Sequence, residues 1–462
     1  MISGAALSGS ELFWLLALLV VFAVDFLTFL SSRDPLGVYQ PPVFVMAFMS
    51  YYTLVGPIQR VIENSWIHIT IDFRYAAVYG WAGAVVFYLS LRLGYGAFRH
   101  WRPHRRFAPA FDHLLAARLG GRLCWLGILL FSLVNGLRVI AYLNPLNVTG
   151  SQFFAVGGFN LGLFTTYANQ AINLLIPGVL LQFTSWVRSG RPVLSWILWS
   201  LATLSIFTSL GFRWRIVTLI VPMVLLWFLA RGRRPATTAI GLSTLGLVVI
   251  AGLIEQTRSY GAGLSFDRAP TLSLQGLLDT GLNESTVFLT TGGIIANSPT
   301  GFPFVGLQPF ISTILFPVPR ALWQGKDSFQ YLLDATAALY QSDTLGLGQA
   351  SLNYAEYYLM FGWLSVVLMG LLSGWLLRSL WNWFSPRRHE TLAQVTYLCT
   401  CGLLYMWVSR GYMPQVVTTF AFGSAPLFWL YYRTARRLRP PTPSIPTVEL
   451  GPTAIISNNP TL

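Results

Sequence analysis

The chain has 462 residues, 54% of them apolar and only 10% charged, with a mean hydropathy of +0.57. Soluble domains carry roughly a quarter charged residues, so this composition excludes a soluble globular protein and indicates a polytopic membrane one. The net charge of +14 would suit nucleic acid, but the basic residues cluster in short stretches between apolar runs, where orientation in a bilayer accounts for them.

Taking about 20 apolar residues per crossing, the chain reads as an all-α protein of about eleven transmembrane helices. They fall near residues 11–30, 41–58, 75–95, 123–142, 164–186, 193–210, 216–230, 238–254, 351–377, 391–409 and 414–432. The first run is read as a span, not a cleaved signal, because Glu11 precedes it instead of a basic cluster and no small-residue cleavage site closes it. Asp25 sits inside that span, either as a proton-relay group, which would favour a transporter, or as half of a satisfied pair.

Charge sets the expected direction of threading. Arg99, Arg102, Arg105, Arg106, Arg118 and Arg122 crowd one loop, and Arg231, Arg233 and Arg234 another. With an odd number of spans these share a face with Arg188, Arg191, Arg387, Arg388, Arg433, Arg436, Arg437 and Arg439, which makes that face cytoplasmic. The N-terminus then lies outside and the C-terminus in the cytoplasm. Residues 1–254 supply eight spans and 351–433 three more. Between them, 255–350 reads as a large periplasmic loop of short helices, broken by glycine and proline and partly re-entrant. The proline-rich 434–462 reads as a disordered cytoplasmic tail.

Several chemistries find no support. His68 is the only histidine on the outer side, so no zinc site is expected, and there is neither a glycine-rich phosphate loop ending in Lys-Ser or Lys-Thr nor a serine-hydrolase elbow. Cys124, Cys399 and Cys401 all lie in apolar runs and read as small buried hydrophobes. What remains is a set of outward arginines, Arg213, Arg215, Arg258, Arg268, Arg320 and Arg410, with acids such as Asp327, Asp334 and Glu356 on the same side. A guanidinium stays charged and offers a fork of donors that fits phosphate oxygens, so such a set suits a lipid-linked pyrophosphate. Each arginine has a plainer alternative, snorkelling to headgroups or pairing with a nearby acid.

Two segments carry a family likeness. PVPRALWQGKDS, from Pro317, resembles the Ile-Pro-Arg…Trp…Lys signature of Wzy-type oligosaccharide repeat-unit polymerases, which build O-antigen and exopolysaccharide in bacteria. GLGQASLNYAEYYLMFGWLSVVLMGLLSG, at 346–374, resembles that family's Ser…Glu-Tyr…Phe-Gly segment, and GFRWR (211–215) and SRGY (409–412) resemble its short arginine turns. The likeness spans about residues 205–432 and departs in one respect: no outward arginine is followed ten residues later by glycine.

The resemblance implies a metal-independent, cofactor-free glycosyltransferase at the outer face of the bacterial inner membrane. There the growing glycan passes from undecaprenyl pyrophosphate to a newly flipped lipid-linked repeat unit, and a flippase and a chain-length regulator are the implied partners. It directs attention to Arg320 and Lys326 in the loop, Glu356 at its end, and Arg213 and Arg410 in the turns. The expected roles are Glu356 or Asp327 as base, Arg320 at the reacting centre, and Arg213, Arg215, Arg258, Lys326 and Arg410 on pyrophosphate and glycan. The alternatives are an O-antigen ligase or other lipid-phosphate-sugar transferase, and a transporter or flippase of lipid-linked sugars.

Overall fold

The computed structural model describes residues 7–31, 36–69, 71–98, 113–145, 164–190, 193–259, 263–264, 273–282, 285–316, 318, 330–342 and 349–437. Apolar runs in a bilayer have no water for their peptide groups and close their own hydrogen bonds as helices. In chain order these are α1 (Gly9–Ser31), α2 (Pro41–Ser50), α3 (Gly56–Glu63), α4 (Arg74–Ala97), α5 (His113–Asn135) and α6 (Arg138–Ala141). Then come α7 (Thr165–Gln170), α8 (Leu175–Ser189), α9 (Val193–Ser209), α10 (Arg213–Leu229), α11 (Thr237–Thr257), α12 (Leu274–Leu282), α13 (Ser285–Asn297) and α14 (Gln308–Leu315). The last are α15 (Gln330–Tyr340), α16 (Asn353–Phe361), α17 (Trp363–Phe384), α18 (Thr391–Ser409), α19 (Met413–Gly423) and α20 (Ala425–Arg437). Strand structure among the described residues is confined to two short hairpins, β1 (Ile67–His68) with β2 (Ile71–Asp72) and β3 (Arg258–Ser259) with β4 (Gly263–Leu264).

Eight helical stretches among the described residues are long and apolar enough to cross a membrane. They are α1, α4, α5, α11, α18, Pro41–Glu63 with a π turn joining α2 to α3, Thr165–Ser189 with a tight turn joining α7 to α8, and Trp363–Arg387. The protein is therefore an all-helical, polytopic membrane protein.

Three expected spans differ in outline. The one expected at 123–142 begins at His113 and ends at Asn135, where Gly136 takes a left-handed φ of 58°. The one expected at 351–377 is two helices, because Gly362, at φ 67° and ψ −146°, turns the chain between α16 and α17. The one expected at 414–432 breaks at Ser424 into α19 and α20.

In lipid, helices gain little by hiding apolar side chains from one another, so close backbone approach at small residues carries their association. The α4–α17 seam is built this way: a Cβ added to Gly94 would lie 2.2 Å from the Leu371 carbonyl oxygen, and one on Gly374 2.1 Å from that of Leu91. A second such crossing seats α13 on α4, where a Cβ on Gly292 would lie 2.1 Å from the Ala76 oxygen. From Val287 to Ile295 every residue of α13 is buried, so this part of the stretch 255–350 is core.

Candidate functional site

The helix α16 is buried from Asn353 to Met360 and is held from several sides. Thr291 of α13 accepts a hydrogen bond from the Leu352 amide at 2.8 Å. Tyr354 reaches the Gly80 carbonyl of α4 at 2.9 Å, and the amides of Val305 and Gly306 close on the carbonyls of Leu359 and Met360 at 2.8 and 3.1 Å. From beyond α18, the Gly411 amide donates to the Ser351 carbonyl at 2.7 Å. Gly411 is required by space: a Cβ there would lie 2.8 Å from the Leu352 carbonyl oxygen. Residues 349–374 and 409–412 thus meet at one end of the bundle.

At that junction Glu356 is 1% exposed. The Tyr331 hydroxyl, from α15, donates to Oε1 at 2.5 Å, and the Met413 amide, first in α19, donates to both carboxylate oxygens at 3.0 Å. Glu356 forms no ion pair among the described residues. Its carboxylate meets an unpaired amide at a helix start, where the macrodipole favours negative charge. Burial nevertheless outweighs these bonds and lifts its pKa from 4.5 to about 7. Burial and the Glu356 charge together push the Tyr331 phenol well above its ordinary range, so Tyr331 stays a proton donor.

Arg410 follows α18 in extended backbone, half-buried, three residues before Met413. No hydrogen bond or ion pair closes on its guanidinium among the described residues. Nearby, Ser351 Oγ and both amide atoms of Asn353 are buried without a hydrogen-bond partner; the Asn353 amide comes near the Tyr357 hydroxyl without closing a bond of ordinary geometry. Unsatisfied buried polar atoms cost free energy, and these lie at the start of α16, within five residues of Glu356 in the chain.

The other expected residues stand apart from this junction. Arg213, at the start of α10, pairs with Glu255 of α11 at 3.1 Å and borders an apolar cavity of about 190 Å³ between α2, α10, α11 and α18. Arg215 is buried, with Phe207, Phe212 and Trp214 rings 5.8, 4.8 and 5.0 Å from its guanidinium carbon. Its Nε donates to Asn173 Oδ1 at 3.1 Å, and no carboxylate faces it among the described residues. Arg320, Lys326, Asp327 and Arg268 lie outside the described residues, as does the Arg258 side chain. Asp25 pairs with Arg92 at 2.9 Å and accepts from the Tyr88 hydroxyl, so it is a satisfied group within the bundle. Among the described residues no three His, Cys, Asp or Glu side chains gather as metal ligands would.

Tyr331, Asn353, Asn173 and the Met413 amide went unnoticed in the sequence. Asn353 lies within a recognised segment, whereas nothing around Tyr331 marks it out. No protein-family model, curated protein or solved structure matches the chain.

Proposed function

We propose that this protein is a membrane glycosyltransferase that polymerises undecaprenyl-pyrophosphate-linked oligosaccharide repeat units into O-antigen or exopolysaccharide. It works at the outer face of the bacterial inner membrane, without metal or cofactor, through about eleven spans and a large periplasmic segment over 255–350. One observation carries the reading: Glu356, buried and unpaired among the described residues, is held on the start of α19 three residues after the unpaired Arg410. That supplies a proton acceptor poised near neutral pH, held by an amide three residues after a guanidinium suited to phosphate.

In the proposed reaction the free sugar hydroxyl of the incoming repeat unit attacks the anomeric carbon of the growing glycan. Glu356 takes the hydroxyl proton, the bond from the anomeric carbon to the pyrophosphate oxygen breaks, and undecaprenyl pyrophosphate leaves with that electron pair. Arg410 stabilises the developing charge, joined by Arg320, Lys326 and Arg258 from the periplasmic segment. Arg215, which faces no carboxylate among the described residues, is a further guanidinium for an anion. Arg213 shares its charge with Glu255 and contributes less. Asp327 is the alternative base.

Purified full-length protein, given only a lipid-linked repeat unit, is expected to lengthen it in the presence of EDTA. Arg410→Ala and Glu356→Gln should each lower the rate by about a hundredfold or more while the protein stays folded and inserted. Movement of the substrate across vesicle membranes with no new glycosidic bond would replace this reading with transport.

A further inference from the structure

The arginines at the end of α18 away from Glu356 have no part in the proposed reaction, yet they are not scattered. Gln394, in the first turn of α18 and 2% exposed, accepts from Arg188 Nη2 at 3.0 Å and donates to the Arg388 carbonyl at 2.7 Å. One turn on, the Tyr397 hydroxyl donates to the Tyr39 carbonyl, and the Tyr39 hydroxyl to the Arg233 carbonyl at 2.9 Å. Two residues before Arg188, the Trp186 ring stacks on that of Trp227 at 5.3 Å, and the Arg231 guanidinium lies over the Trp227 indole, 3.3 Å from its centre. The end of α8, the loop after α10 and the turn before α18 are thereby drawn together, each bringing exposed arginine. None of Arg188, Arg231, Arg233 and Arg388 forms an ion pair among the described residues. Glu390, the acid nearest to them in the chain, accepts from the Tyr431 hydroxyl at 2.7 Å.

Orientation in the bilayer would be served equally by arginines spread over the loops. Cations brought together repel one another unless an anion offsets them. Position selects the anion. Arg188 lies in the last turn of Thr165–Ser189 and Arg388 three residues before α18, both of membrane-crossing length, so these charges sit at headgroup depth. Trp186 also packs on Trp196 at 4.7 Å, and such tryptophans form the aromatic belt found at that depth. A guanidinium laid on an indole is held by its face and keeps N–H groups at its edge for phosphate oxygens. We propose that Arg188 and Arg231, supported by Arg233 and Arg388, bind the phosphate of an anionic bilayer phospholipid, as basic clusters between helix ends do. A zwitterionic head would instead add a further cation to the four. The site is separate from the Glu356 junction and does not depend on the polymerase reading.

The test uses purified full-length protein in detergent, given phosphatidylglycerol, phosphatidylcholine with the same acyl chains, or inorganic phosphate. Bound lipid is read by native mass spectrometry and its effect on folding by thermal melting. Phosphatidylglycerol is expected to stay bound and raise the melting temperature, phosphatidylcholine to wash off, and excess inorganic phosphate to leave the bound lipid in place. Arg231→Gln and Arg388→Gln, both at exposed positions, should each weaken phosphatidylglycerol binding about fivefold, the loss expected for one surface cation. Arg188→Gln should do the same, and Arg188→Lys, which keeps the charge, should retain most of the binding and separates loss of charge from loss of the Gln394 contact. Arg138→Gln, exposed on α6, should leave binding unchanged. Equal retention of phosphatidylcholine, displacement by inorganic phosphate alone, or the same loss from Arg138→Gln as from Arg231→Gln would overturn the proposal.

Discussion

Glu356 couples stability and the proposed catalysis to the same proton. Burial raises its pKa from 4.5 to about 7, so the folded protein holds the proton more tightly than the unfolded chain does. Its stabilising contribution is therefore complete below 4.5 and is lost as pH rises to about 7, a change on the order of 3 kcal/mol. Glu356→Gln removes this dependence. Thermal melts from pH 5 to pH 8 should show the wild type losing ground to the variant, and a gap that ignores pH would mean that the carboxyl does not titrate there. Activity runs the other way, because only the ionised form accepts a proton. Initial elongation rates should climb about tenfold per pH unit below about 7 and level off above it.

The Asp25–Arg92 pair makes a second case at this scale, with a purely structural outcome. Arg92 also lies over the Phe29 and Tyr95 rings, 5.1 and 5.5 Å from their centres. Asp25→Ala leaves that guanidinium without its counter-charge. The expected loss is about 2 kcal/mol, on the low side for a broken pair because Arg92 remains partly accessible. Asp25→Leu combined with Arg92→Leu should recover most of it, and a double variant no better than the single would show that the pairing carries little.

Among elements, hydropathy made nearly all of the long helices legible, because a run of about 20 apolar residues has only one way to satisfy its backbone in lipid. Breaks were harder to read. Gly362 lies in an apolar stretch where its backbone angles, which a residue with a Cβ avoids, separate α16 from α17, and the Ser365 hydroxyl accepts from the Phe361 amide at 3.0 Å across the break. The seams were equally silent, since Gly94, Gly370 and Gly374 look in sequence like any other membrane glycines. Their spacing acquires meaning only when α4 and α17 touch. Gly374→Val would push a branched side chain against the Leu91 carbonyl. It should cost about 1–3 kcal/mol as an overpacked core does, measured as a fall in melting temperature, whereas the exposed Leu376→Val on the same helix stays near neutral.

For the whole molecule, Glu356 was readable as an acid but its seat was not: Glu356 and Met413 are 57 residues apart, and only tertiary packing joins them. The outward arginines were legible as a charge pattern alone, and the described ones do not all gather at one site. Arg213 and Arg215 instead find partners close at hand in Glu255 and in a ring of aromatics, which composition does not foretell. Threading offers the last test. Loops expected on one side do share an end: Arg188 donates to Gln394 at 3.0 Å, and the Tyr39 hydroxyl donates to the Arg233 carbonyl at 2.9 Å. If positive charge orients the chain, that end faces the cytoplasm and the Glu356 end faces outward. The native cysteines Cys124, Cys399 and Cys401 are all buried and give a quiet background. Single cysteines at the exposed positions Thr300 and Ser189 then report the two faces. In right-side-out membrane vesicles an impermeant maleimide should label Thr300→Cys at once and Ser189→Cys only after permeabilisation. The reverse order would turn the bundle over, and a reaction that consumes a flipped, outward lipid-linked sugar could not occur at Glu356.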